Sequence, residues 1–261
     1  MVEPSIRLFL PSFYFLLSTN NGMENIKIPI LMYHGIARPL KSGLRTCLCV
    51  PKWVFATQMW YLRFAGYTPI NMAQLAACMR GDESFPDKPV VMTFDDGFEN
   101  NYVNALPILR KYGFTATVYL VADRIGKTKN WSPDPRLKDP PIMTIEQIKE
   151  MAECGIDFGA HTFTHPHLTQ IPPEQLVREV RDCKGYLEQL LGKPITTFCY
   201  PYGKTSYSEE IRQLVIDSGY QAACTTRSGC NYPDSDAFAL KRLMPRSRTY
   251  IPKFAKLLKS P

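Results

Sequence analysis

An apolar run at 90–94 ends in two adjacent carboxylates, Asp95 and Asp96, followed by Gly97. Neighbouring carboxylates raise each other's pKa unless a cation lies close. Asp-Gly turn chemistry would explain the pair without any ligand. The histidines point elsewhere. The chain has 4, and three of them sit in HTFTHPH at 161–167. His161 and His165 are four positions apart, so a helical turn there would put both rings on one face, able to share a metal. Alone, they would read more readily as loop histidines on a polar surface. Joined by a carboxylate, they form a set that leaves one position open for water, as at catalytic zinc. One aspartate then binds the ion, and the other stays free as a general base, its pKa held down by the cation. His167, beside Pro166, is expected to be structural or exposed rather than a ligand. Zinc is the expected ion because the ligands are borderline; cobalt, nickel or iron would suit the same set.

These residues need elements to carry them. Strand patterns cover 28–33, 87–94, 115–122, 156–160, 196–200 and 220–225, with a last short one at 240–244. Helical spacing covers 54–64, 71–79, 100–112, 145–154, 174–191 and 208–218, with a short final helix at 252–258. Thr144 is a candidate N-cap, and Gly113 and Gly155 are expected to end helices. Trp53 and Trp60, seven apart in a helical pattern, are expected in the core. The alternation of strands and helices predicts a parallel α/β fold. Four strands are followed by His34-Gly35, Asp95-Asp96-Gly97, His161-Thr162 and Pro201-Tyr202-Gly203. In a β/α barrel that face carries the site. An open doubly wound sheet would obey a similar rule.

The bulk composition agrees with one large domain: 261 residues, 45% hydrophobic and 21% charged, which excludes a disordered chain. The net charge of +7 is scattered apart from a basic tail at 253–259, so nucleic acid is not an expected partner. The 8 cysteines form no paired framework and point to a reducing compartment, cytoplasmic or at the cytoplasmic membrane. Residues 1–22 form an extension ahead of the domain at 23–261. Its apolar run at 8–17 is too short to span a bilayer. A start-site artefact, a weak export signal to the periplasm or outside, and a membrane-surface anchor all stay open.

Taken together, TFDDG at 93–97 and HTFTH at 161–165 resemble the polysaccharide deacetylases of the NodB-homology group, carbohydrate esterase family 4. The likeness runs from about residue 28 to residue 246. It implies a distorted (β/α) barrel, in a single domain, that hydrolyses N-acetyl groups from an N-acetylated glycan. It implies Asp95 as base and Asp96, His161 and His165 as metal ligands. The chain departs from that family in three places. The motif Arg-x-Pro-Phe/Tyr reads Cys199-Tyr200-Pro201-Tyr202, without its arginine. No tryptophan follows Trp131, and no histidine follows His167, so the usual downstream acid is missing. The poly-N-acetylglucosamine deacetylases are similar to this chain in having Tyr-Pro-Tyr-Gly and an early Tyr-His, with the acid supplied from the start of the domain. ILMYHGI at 30–36 matches that arrangement and makes His34 the candidate acid, against a structural histidine at a strand end. Arg246 is the candidate for the lost arginine's charge, or a surface residue. The backbone N–H of Tyr202 is expected to hold the oxyanion. Trp131, Pro201 and Tyr202 are candidates for the sugar, with Trp131 equally able to pin its loop to the barrel. The rivals are a sugar-binding or scaffold protein that has lost catalysis, and a metal-dependent hydrolase of another small amide.

Overall fold

In a computed structural model, residues 26–38, 48–131 and 139–260 are described. The extension at 1–22, Cys47 and the middle of the loop after Gly126 lie outside them.

The strands are β1 (Ile30–Tyr33), β2 (Gly35–Ile36), β3 (Cys49–Val50), β4 (Thr68–Ile70), β5 (Pro89–Phe94), β6 (Thr117–Leu120), β7 (Asp157–Ala160), β8 (Thr197–Cys199) and β9 (Ala222–Cys224). The helices are α1 (Lys52–Phe64), α2 (Met72–Arg80), α3 (Leu106–Tyr112), α4 (Ile145–Glu153), α5 (Pro173–Val177), α6 (Cys183–Leu191), α7 (Glu209–Asp217) and α8 (Ile251–Leu258). The main sheet is parallel in the order β1-β5-β6-β7-β8-β9, with β4 paired to the start of β5. A parallel sheet needs helices to cover it, and the alternation in the sequence supplies them. The predicted strand at 240–244 is not a regular strand. The chain there makes single parallel bridges, Leu240 to Cys224 and Leu243 to Leu31, which close β9 against β1. The result is a distorted β/α barrel.

Strand alternation sorts the side chains. Leu31, Tyr33, Val90, Met92 and Phe94 belong to the larger core beneath the helices, whereas Ile30, Val91, Cys199 and Leu240 belong to the smaller core inside the barrel. With a period of two, His34, Asp95 and Arg242 therefore inherit the inward direction of Ile30, Val91 and Leu240.

The helix ends follow their caps. Thr144 and Gln147 form a capping box on α4, and Gly113 ends α3 in the left-handed region at φ 68°. α5 and α6 are joined by a π-helical turn, Arg178–Asp182, into the one long helix expected at 174–191. One expectation fails. Trp53 and Trp60 are exposed by 60% and 50%, not in the core. Val54, Phe55, Met59 and Leu62 make the buried face of α1, and the tryptophans lie off it.

Candidate active site

Register brings the first residues together. Tyr33 pairs with Phe94, and the N–H of Asp95 donates to the carbonyl of Tyr33. The next residues, His34 and Asp95, are therefore neighbours, with His34 Nε2 3.8 Å from Asp95 Oδ2. After Asp95 the chain turns left-handed at Asp96 (φ 74°) and Gly97 (φ 72°). A Cβ at Gly97 would lie 2.9 Å from the Leu120 side chain, so glycine suits the turn twice over. The turn lets both carboxylates face one cavity.

β7 ends one residue before His161, whose Nε2 lies 3.6 Å from Asp96 Oδ1. His165 Nε2 is 3.3 Å from the same oxygen. The segment between the histidines is a loop rather than the helical turn expected from the spacing. Thr162 and His165 both take positive φ, 67° and 66°, a costly conformation for a β-branched threonine. Hydrogen bonds hold the loop there. Thr162 Oγ1 accepts from the His165 N–H at 2.9 Å. The buried carboxylate of Glu179, on the π-helical turn, accepts from the N–H groups of Phe163 and Thr164 and from the Thr164 hydroxyl, at 2.8, 2.8 and 2.6 Å.

The donor set fits a metal. His161 Nδ1 lies 2.7 Å from the Cys199 carbonyl and must donate to it, which leaves Nε2 a lone pair aimed at Asp96. Burial pushes the His161 pKa down to about 4, outweighing the nearby aspartates, so the ring is neutral at pH 7. A lone pair facing a carboxylate repels it unless a cation lies between. The donor atoms of Asp96, His161 and His165 all lie within 4.8 Å of one another. The 3.3 and 3.6 Å edges match a tetrahedral ion with ligands at about 2.0–2.2 Å. Asp95, His161 and Cys199 form a second close group, but burial raises the Cys199 thiol pKa, and an arginine already holds Asp95.

That arginine is Arg242, not Arg246. Arg246 is exposed and stands outside the cavity wall. Arg242 is 1% exposed, and all five of its N–H donors have acceptors. Nη1 reaches Asp95 Oδ1 at 2.7 Å and Nη2 reaches Asp95 Oδ2 at 2.8 Å, a bidentate fork. Nε donates to the Thr225 carbonyl at 2.9 Å, and the other two donors meet Thr93 Oγ1 and Cys199 Sγ, each at 3.1 Å. Cys199 stands where the related motif carries its arginine, so the guanidinium reaches the same aspartate from the closing segment. Burial pushes Asp95 up, but Arg242, His34 and His161 outweigh it and hold the carboxyl below its ordinary range. Asp96, likewise buried, is held down by the His165 hydrogen bond and the charges of the three histidines.

These groups open into a cavity of 700 Å³ walled also by Lys129, Trp131, Tyr202 and Met244. Trp131 stacks on His165 with ring centres 4.4 Å apart and packs on the cluster of Cys49, Phe98 and Ile142. It therefore lines the cavity and also packs its loop against the barrel. Tyr202, at φ 54°, stacks on His167 at 3.9 Å. Burial and then Asp96 raise its phenol pKa to about 12, so the hydroxyl stays neutral. Pro201 is buried in the turn, and the wall there is made by Tyr200 and Tyr202 instead.

The polysaccharide deacetylase family profile matches residues 82–223, which include both carboxylates and both histidines. YxkH of Bacillus subtilis, which bears the family's name, is 34% identical over 217 residues, covering 83% of this chain and 71% of its own length. A poly-β-1,6-N-acetyl-D-glucosamine N-deacetylase of Staphylococcus epidermidis is 27% identical over 169 residues, 61% of this chain and 55% of that one. The chain thus spans little more than half of the staphylococcal relative. Among solved structures, the Streptococcus pyogenes deacetylase PplD, in complex with acetate, superposes with a TM-score of 0.76 at 27% identity, over 89% of this chain and 98% of the other.

Proposed function

The chain belongs to the polysaccharide deacetylase family, and we propose that it removes N-acetyl groups from an N-acetylated sugar or polysaccharide with a divalent metal, zinc first. The observation that carries this reading is the convergence of Asp96, His161 and His165 beside an aspartate locked by Arg242, all facing one cavity.

Asp96, His161 and His165 would hold the ion. The chemistry it supplies is Lewis-acid polarisation of a carbonyl and acidification of a water. Asp95, kept ionised and fixed in direction by Arg242, takes the proton of the water that attacks the acetyl carbon. The backbone N–H of Tyr202 donates to the oxyanion. His34, 3.8 Å from Asp95 Oδ2, gives its proton to the sugar nitrogen as the C–N bond breaks. Acetate leaves, and a free amine remains on the sugar. Trp131 and Tyr202 offer aromatic walls for the ring's C–H faces.

Glu179 acts on this centre through the loop it holds. Outer partners of metal ligands are worth roughly tenfold to a hundredfold in metal affinity. Glu179→Ala is therefore expected to weaken zinc binding by that factor while the fold survives, with Glu179→Gln intermediate, since one oxygen still accepts. Titration against a competing chelator, with circular dichroism alongside, reads this out. Unchanged zinc affinity in Glu179→Ala contradicts it.

The function is tested by acetate release from N-acetylglucosamine oligomers, with the β-1,6-linked form first because the staphylococcal relative is named for that polymer. Release is expected from zinc-loaded protein. Hydrolysis of small amides or cyclic imides with no release from oligomers would move the reaction to another C–N bond.

A further inference from the structure

Helix α1 turns an aromatic stripe outward. Trp53, Trp60 and Phe64 are exposed by 60%, 50% and 77%. Spaced seven and four apart, they fall within an arc of about 40° on the helix, since each residue advances about 100°. The rings are ordered by stacking: Trp53 on Tyr250 at 5.5 Å, and Trp60 on Phe64 at 5.4 Å. Solitary exposed apolar residues are ordinary, but a contiguous set of large rings marks a contact surface.

The charges carried by α1 and α8 have one sign. Residues 51–66, which contain α1, hold Lys52 and Arg63 and no acidic residue. After Asp236 the rest of the chain has no acidic residue either, and α8, packed beside α1, presents Lys253, Lys256 and Lys259 to solvent. Next to Trp53, between the start of α1 and α3, a groove of 520 Å³ is walled by Arg38, Lys52, Lys111 and Tyr112, with no carboxylate in its wall. Exposed tryptophan and phenylalanine flanked by lysine and arginine are the composition of helices that lie in a bilayer interface. No helix among the described residues is long and apolar enough to cross a membrane, so the contact is parallel to the surface.

We propose that the outer face of α1, with α8 and the groove beside Trp53, docks on the surface of an anionic lipid bilayer. The rings enter the interface. Arg38, Lys52 and Lys111 receive a headgroup phosphate, and the lysines of α8 face the negative surface potential. This face shares no residue with the wall of the catalytic cavity.

The test is co-sedimentation of the full chain with phosphatidylcholine vesicles, with and without phosphatidylglycerol, at low and high salt. Binding is expected only with phosphatidylglycerol, and it should weaken as salt screens the charges. The double variant Trp60→Ser/Phe64→Ser should bind at least about tenfold more weakly, as should Lys52→Glu/Lys111→Glu. Both should keep their thermal melting and their acetate release from a soluble oligomer. No binding overturns the proposal. Binding that both variants retain also overturns it, placing the contact elsewhere in the chain. If light scattering shows a dimer that Trp60→Ser/Phe64→Ser dissociates, the face is an interface between copies and the lipid proposal falls.

Discussion

Arg242→Ala should cost acetate release at least about a hundredfold in kcat, the lower range for a disabled general base, with a smaller effect on KM. The reason is the fork: both Asp95 oxygens accept from this one guanidinium, which fixes the direction of the carboxylate. Removing one partner of a buried ion pair also destabilises a fold by about 3–5 kcal/mol, so the variant should melt lower. Two further substitutions separate stability from positioning. Arg242→Lys returns the charge but not the two parallel N–H donors, and should recover stability more than rate. Cys199→Arg in the Arg242→Ala background places a guanidinium where the related motif has one, 3.6 Å from Asp95 at the present sulfur. It should restore at least about tenfold of the lost rate if Arg242 acts by orienting Asp95. Rates that follow stability alone across the three variants would reduce Arg242 to a structural role.

His34→Gln should lower kcat on N-acetylated oligomers by about 10²–10⁴, the range for a lost general acid. The residue keeps little surface, 15% of its side chain, and faces Asp95 across 3.8 Å. An amine is a poor leaving group without a proton, whereas a nitrophenolate leaves without one. The same variant should therefore lose much less rate on 4-nitrophenyl acetate, and its zinc affinity should not change. Equal losses on both substrates would point to a collapsed site, and no loss on the amide would make His34 structural.

How much of this was legible in the sequence differs by residue. Asp95, Asp96, His161 and His165 announce themselves because polar residues at strand ends interrupt apolar runs. His34 follows from the same rule, and parallel pairing of β1 with β5 does the rest. Arg242 carried a comparable signal. It sits inside an apolar segment, between Leu240 and Leu243, where an arginine requires a buried partner. Arg246, the arginine expected to supply that charge, lies four residues on and is exposed. The closing segment gives a weak strand pattern because it makes only two bridges, and alternation alone aims Arg242 inward. The histidine loop misled in another way. Spacing of four suggests a helix, but the geometry comes from two left-handed residues and from Glu179, distant in sequence. Trp53 and Trp60 fit a helical period, yet the period does not say which face is buried. That depended on Val54, Phe55, Met59 and Leu62 forming a wider apolar stripe.

Acetate release from β-1,6-linked N-acetylglucosamine oligomers, followed for zinc-loaded wild type, chelated wild type and Asp95→Asn, tests the account most directly. The account predicts release by the zinc-loaded protein, its loss on chelation with recovery on re-addition of zinc, and a fall of at least about a hundredfold in Asp95→Asn. Release that survives chelation, or that Asp95→Asn retains in full, would contradict it.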